Sequence, residues 1–166
     1  MNWLYQQCVR VRQPKYFGYL DQDCFLVRDL DMAPRLDRQG MFGRAYRSTK
    51  VPEAWTLHVT TIFFKLDFVH GCKLDFRASY PYEMDTGSAN YDVLYHRLKY
   101  EDYVIDQVAQ RFDSADVNRP GSVQHYELLA GGAWYHMCAS SHDQLAGDGQ
   151  FKLAYTKGYL DSRLQQ

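Results

Sequence analysis

Two imidazoles, a carboxylate and a thiol recur at even spacing in the last third of the chain: His125, Glu127, His136 and Cys138. Between them lies Gly131-Gly132, and paired glycines tolerate the positive φ that a two-residue hairpin turn requires. With that turn, Leu129 faces Trp134, Glu127 faces His136 and His125 faces Cys138. Side chains alternate along a strand, so all four polar residues fall on one face, with cross-strand Cβ atoms about 4.5–5.5 Å apart. Zinc accepts every ligand type in that set. His125 beside Cys138 would alternatively activate a thiolate nucleophile. Against both, four neighbours on a flat sheet do not converge on a tetrahedral point by themselves, and the spacing follows no zinc signature. The other face (Tyr126, Leu128, Tyr135, Met137) reads as core, so a solvated polar face accounts for the same pattern. No metal or cofactor is therefore assigned, and the four residues carry an alternative reading, a small enzyme or zinc or thiol site on the 122–140 hairpin.

Other chemistry is thinner. Ser140-Ser141-His142-Asp143 holds the letters of a triad, but sequence neighbours cannot adopt nucleophile–base–orienter geometry with one another. Asp148 between Gly147 and Gly149 lacks the repeated carboxylates of a calcium loop. GxSxG, P-loop, GxGxxG and HExxH patterns are absent. The balance of the sequence is against an enzyme.

The elements that must position these groups read as follows. Ile62, Phe64, Leu66 and Phe68 alternate with Phe63, Lys65 and Asp67, and the pattern resumes after Val69-His70-Gly71 as Cys72, Leu74, Phe76 and Ala78. This predicts a hairpin with Gly71 in the left-handed position and Phe64 opposite Phe76. That register also places Asp67 against Lys73 and Lys65 against Asp75. Trp3, Tyr5, Val9 and Val11 alternate and predict a strand over 3–11. Tyr16–Leu20 and Cys24–Arg28 suggest a second hairpin around Asp21-Gln22-Asp23, and Phe151, Leu153 and Tyr155 a late strand. Tyr91, Leu94, Tyr95, Leu98, Ile105, Val108, Ala109 and Phe112 recur at three- and four-residue spacing. They predict a long amphipathic helix over about 90–112, capped by Ser88 or Asn90. From 29 to 54 periodicity fails, and Pro34, Gly40, Gly43 and Pro52 suggest a loop-rich segment. The expected fold is a single α+β domain over 1–166, mainly antiparallel sheet built from hairpins and packed on that helix.

Composition narrows the function classes. With 166 residues, 46% hydrophobic and 23% charged, the chain suits a globular domain. A formal net charge of −1 argues against a nucleic-acid or anionic-membrane binder. No apolar run approaches a membrane span, and the first residues lack a signal-peptide plan, so a cytoplasmic location is expected. The four cysteines show no CxxC pair and read as reduced thiols. The 14 tyrosines outnumber Phe and Trp combined, a composition suited to protein contacts.

The reading these observations favour is a non-catalytic protein-binding module: a small bacterial inhibitor or toxin-immunity-type protein that occludes a toxin or effector, with a homodimer as a variant. Arg35, Arg38, Phe42, Arg44, Tyr46 and Arg47 are the expected partner-binding residues, because no core pattern accounts for them. A small-ligand binder with a tyrosine-lined cleft between sheet and helix is a further alternative.

Overall fold

The computed structural model describes residues 1–103, 110–115, 123–137 and 149–164, without side-chain detail at 59, 110–115, 123–127, 149–155 and 164. The chain divides into two compact units, one of Met1–Asp21 with Asp31–Gln107 and one of Gln22–Leu30 with Val108–Gln166. The architecture is α+β with two antiparallel sheets of three and four strands. Among the described residues of 90–112 there is no long helix.

The first unit is organised by strand β4 (Trp55–Lys65), which lies between β1 (Tyr16–Leu20) and β3 (Met41–Arg47). Phe64 is registered against Phe17 on one side and Met41 on the other. Ile62 and Phe64 are fully buried while Phe63 and Lys65 are not, so the expected dry face is present. Its expected partner is wrong. After Lys65 the chain tightens into a 3-10 turn at Leu66–Val69, and 72–78 joins no ladder. Side chains take the backbone donors that a ladder would have used: Asp75 N–H donates to Asn90 Oδ1 (2.7 Å) and Phe76 N–H to Asn2 Oδ1 (2.7 Å). Gly71 does adopt a left-handed φ of 84°, and the Phe64 and Phe76 rings still meet in one core at 6.4 Å.

The predicted helix is replaced by 3-10 turns at Ser88–Asn90, Tyr95–Arg97 and Tyr100–Asp102, and its end by strand β5 (Gln110–Ala115). Ile105, Val108 and Ala109 lie outside the described residues. The aromatic spacing explains the departure. The rings of Tyr95, Tyr100 and Tyr103 converge on the Trp55 indole at 5.0, 5.6 and 5.6 Å. On a continuous helix residues 95 and 103 would stand about 12 Å apart along the axis. Folding the chain into short turns lets all three reach one ring.

The 29–54 stretch, expected to be loop-rich, holds helix α2 (Ala33–Gln39) and β3. Pro34 sits in the first turn of α2, where its missing N–H costs nothing. Gly40 closes it at φ 78°, with its N–H on the Leu36 carbonyl at 2.9 Å, and a Cβ there would meet the Phe68 ring at 2.2 Å. Met41, Phe42, Gly43 and Ala45 are all buried, so β3 has no inside–outside alternation to read.

Residues 2–12 are helical and not a strand. We label them α1: Asn2–Leu4 and Arg10–Arg12 are α-helical, with a π turn at Tyr5–Val9 between them. Odd-numbered apolar positions satisfy both period 2 and a four-residue repeat, and Gln7, which breaks the strand pattern, does not break the helix.

In the second unit the strand order is β2 (Cys24–Leu26), β7 (Trp134–His136), β6 (Val123–Leu129), β5. The β6–β7 register is the expected one, with Leu129 opposite Trp134 and Glu127 opposite His136. The connection is wider than two residues, since pairing stops at Leu129 and Trp134. Gly131 and Gly132 supply φ values of 67° and 89° within it. β1 and β2 form no hairpin, because β2 pairs with β7 in this second sheet. Residues 151–155 belong to helix α3 (Gly149–Leu164), not to a strand. Leu128, Tyr135 and Met137 form the core of this unit with Phe25, Val27 and Tyr159, the last stacked on Tyr135 at 4.6 Å.

Replacing Phe64 with Ala removes a fully buried ring. It should cost about 3–5 kcal/mol in urea unfolding, from lost transfer energy plus the cavity. A double-mutant cycle with Phe76→Ala should give a coupling of about 0.5–1.5 kcal/mol, the range for tilted ring pairs at such separations. Strict additivity would show that the two rings do not support one another.

Candidate functional site

Among the described residues, two places gather side chains suited to function. The first is α1. Met1, Tyr5 and Val9 form one four-residue row, with Tyr5 in the core of the first unit and the others packed against it. Tyr5 meets Phe17 and Phe76 at ring distances of 5.5 and 5.9 Å. Trp3, Gln7 and Val11 form a second such row, and Trp3 and Val11 are 70% and 72% exposed, with Leu4 at 46% beside them. A four-residue row drifts around an α-helix, and the wider π turn at Tyr5–Val9 offsets that drift, so both rows stay in line. The helix is thus apolar on two sides and buries one of them.

Its footing is specific. Asn2 accepts from the Phe76 N–H and donates from Nδ2 to Asp75 Oδ1 at 2.8 Å. Arg77 holds the same carboxylate through Nε and Nη2. Those bonds, Arg77 first and Asn2 next, lower the Asp75 pKa to about 2 against the opposing effect of burial. A cleft of about 450 Å³ flanks α1, with Tyr5, Arg10, Leu66, Cys72 and Leu74 among its walls.

The six residues expected at a partner interface lie on α2 and β3, largely engaged within the first unit. Phe42 is 3% exposed and lies beneath the Arg35 guanidinium at 5.3 Å. Tyr46 is half-buried, its hydroxyl accepting from the Asp85 N–H at 2.9 Å. Arg47 pairs with Glu101 at 2.5 Å and lies 4.2 Å over the Tyr100 ring. Arg44 is half-buried in β3. Arg38 is exposed on α2, at the edge of a polar cleft that also includes Asp37, Lys65 and Glu101. Asp37 is held well below the usual carboxylate range by hydrogen bonds from Lys65, Tyr16 and Lys15, which fasten α2 to β1 and β4.

The second place is a buried cluster in the second unit. Of the four hairpin residues with metal-ligating side chains, Cys138 lies outside the described residues, and for His125 and Glu127 the strand register alone is described. His136 is 5% exposed on β7. The expected Glu127 stands opposite it on β6, and the other side brings neighbours the sequence did not show: Cys24 stands opposite it on β2, and Asp23 Oδ1 lies 3.5 Å from its Nε2. Asp23 is itself 7% exposed. Periodicity could not reveal this group, because β2 comes from far upstream. The one sequence signal was a Cys directly after the carboxylate-rich turn Asp21-Gln22-Asp23.

Comparison with known proteins adds no relative: no family model, curated protein or solved structure matches the chain.

The Asp75 anchorage has a pH consequence. Its folded pKa lies below the ordinary carboxylate value of about 3.9, so its contribution to stability is complete above about pH 4 and is lost as pH falls towards 2. Asp75→Asn should flatten the fall of Tm between those pH values relative to the unaltered chain. Parallel Tm profiles for the two proteins would remove Asp75 from the acid limb.

Proposed function

We propose that the chain is a non-catalytic protein-binding module whose contact surface is the outward row of α1. The observation that carries this reading is the exposure of Trp3 and Val11 on a helix whose other row already serves the core. An unpartnered apolar row on an otherwise anchored helix is the form in which amphipathic helices enter a partner's apolar groove. Trp3 supplies a large anchor of the kind that dominates interface energetics, and Arg10 and Arg12 are exposed nearby for a polar rim. The partner is therefore a protein with an apolar groove and acidic groups at its margin. Occlusion of that groove, as an inhibitor or toxin-immunity-type protein would achieve, is the mode of action this surface suits.

Arg38 and Arg44 serve as the comparison, since the 29–54 segment carried the sequence expectation. Trp3→Ala and Val11→Ala should each leave Tm nearly unchanged, because exposed positions rarely shift stability by more than about 0.5 kcal/mol. Trp3→Ala should weaken capture of a stoichiometric partner by at least about 2 kcal/mol, while Arg38→Ala and Arg44→Ala bind normally. The measurement is affinity capture from the native organism, followed by titration of the captured protein against each variant. Normal binding by Trp3→Ala and Val11→Ala together would remove α1 as the interface. A self-association that Trp3→Ala abolishes would assign the row to a second copy of the chain instead.

A further inference from the structure

We propose that Asp23, Cys24 and His136 bind a divalent cation of the zinc class. The site lies wholly within the second unit and is independent of the α1 surface. Its carboxylate oxygen, thiol sulfur and imidazole nitrogen all lie within 4.8 Å of one another. Two ligands on one tetrahedral zinc stand about 3.3–3.6 Å apart, from bond lengths of about 2.0–2.3 Å. The Asp23–His136 separation of 3.5 Å already has that value, whereas a neutral N–H···O hydrogen bond is commonest near 2.9–3.0 Å.

The local chain explains how the three meet. Cys24 and His136 are directly opposed on neighbouring antiparallel strands, so their side chains share a face. Asp23 would point the other way if it continued the strand, but it still belongs to the preceding turn. Its backbone carbonyl accepts from the Met137 N–H at 3.0 Å, which fixes the main chain while the carboxylate reaches His136. Two of the three side chains are buried, so water competes poorly for them, and a dication would offset the cost of burying a carboxylate.

The donor set selects the metal. A thiolate disfavours magnesium and calcium, which take oxygen ligands, and a mixed sulfur, nitrogen and oxygen set suits zinc or cobalt. Cys24, the half-exposed member, lines an apolar cleft of about 360 Å³ with Phe25, Leu26, Val27, Leu160 and Arg163, so the group is not sealed from outside. Binding needs no redox partner: Cys24 releases its thiol proton to solvent, and His136 coordinates as the neutral ring.

The experiment uses the full chain, reduced and stripped with a chelator, titrated with Zn²⁺ by calorimetry and with Co²⁺ by absorption. One metal per chain, a thiolate-to-cobalt charge-transfer band and a raised Tm are expected. Cys24→Ser should abolish the band, and Asp23→Asn should weaken Zn²⁺ binding at least about tenfold, the lower end of the loss seen even for outer-shell partners. No stoichiometric binding by the unaltered chain would overturn the proposal, whatever the variants do. A charge-transfer band that survives in Cys24→Ser would also overturn it, because the thiolate would then be Cys8, Cys72 or Cys138.

Discussion

Everything in the first unit depends on β4 being paired along both edges. A strand in that position has no free ladder, so its neighbours must arrive from either side, and they do: β1 from before it and β3 after the α2 turn. Phe64 then stands between Phe17 and Met41, and the segment that follows β4 finds neither edge of β4 free to pair with. That segment is held by asparagine side chains, and its Phe76 ring goes to the core face instead. The placement of α1 follows, because Asn2 is one of those asparagines.

This accounts for what was legible in the sequence. The alternation of Ile62 and Phe64 reports which side chains are dry, and that reading holds. It does not report which strand supplies the pairing, since Phe17 and Met41 satisfy Phe64 as well as Phe76 would. The β6–β7 register was readable because the connection is local, with glycines at two of its three positive-φ positions and Ala130 at the third. Where burial is two-sided, as in β3, no period survives to be read. Where tyrosines converge on a single indole, helical spacing is present without a helix.

The two proposed surfaces differ in the same way. Trp3, Tyr5, Val9 and Val11 were visible in the sequence but assigned to one face of a strand, because alternate positions serve two periods. Of the three proposed ligands one was visible: His136 was singled out, Asp23 and Cys24 were not. Antiparallel pairing of β2 with β7 joins residues that no local pattern connects, and only the register of a distant strand brings Cys24 opposite the imidazole. For partner contact a surface reading needs exposure, which sequence supplies poorly, whereas a coordination reading needs convergence, which it does not supply at all.

The chain passes between the two units at residues 21–22, 30–31 and 107–108. Synthesis runs in one direction, so β2 leaves the ribosome long before Trp134–His136, the strand it pairs with, exists. Until then Cys24, Phe25 and Leu26 have an open edge, and the second sheet cannot close by its own continuous stretch. A protease or a recombination event that separated 108–166 from the rest would carry away a sheet without its border strand. Each unit packs its own core, yet the two are made, cleaved and inherited as one object.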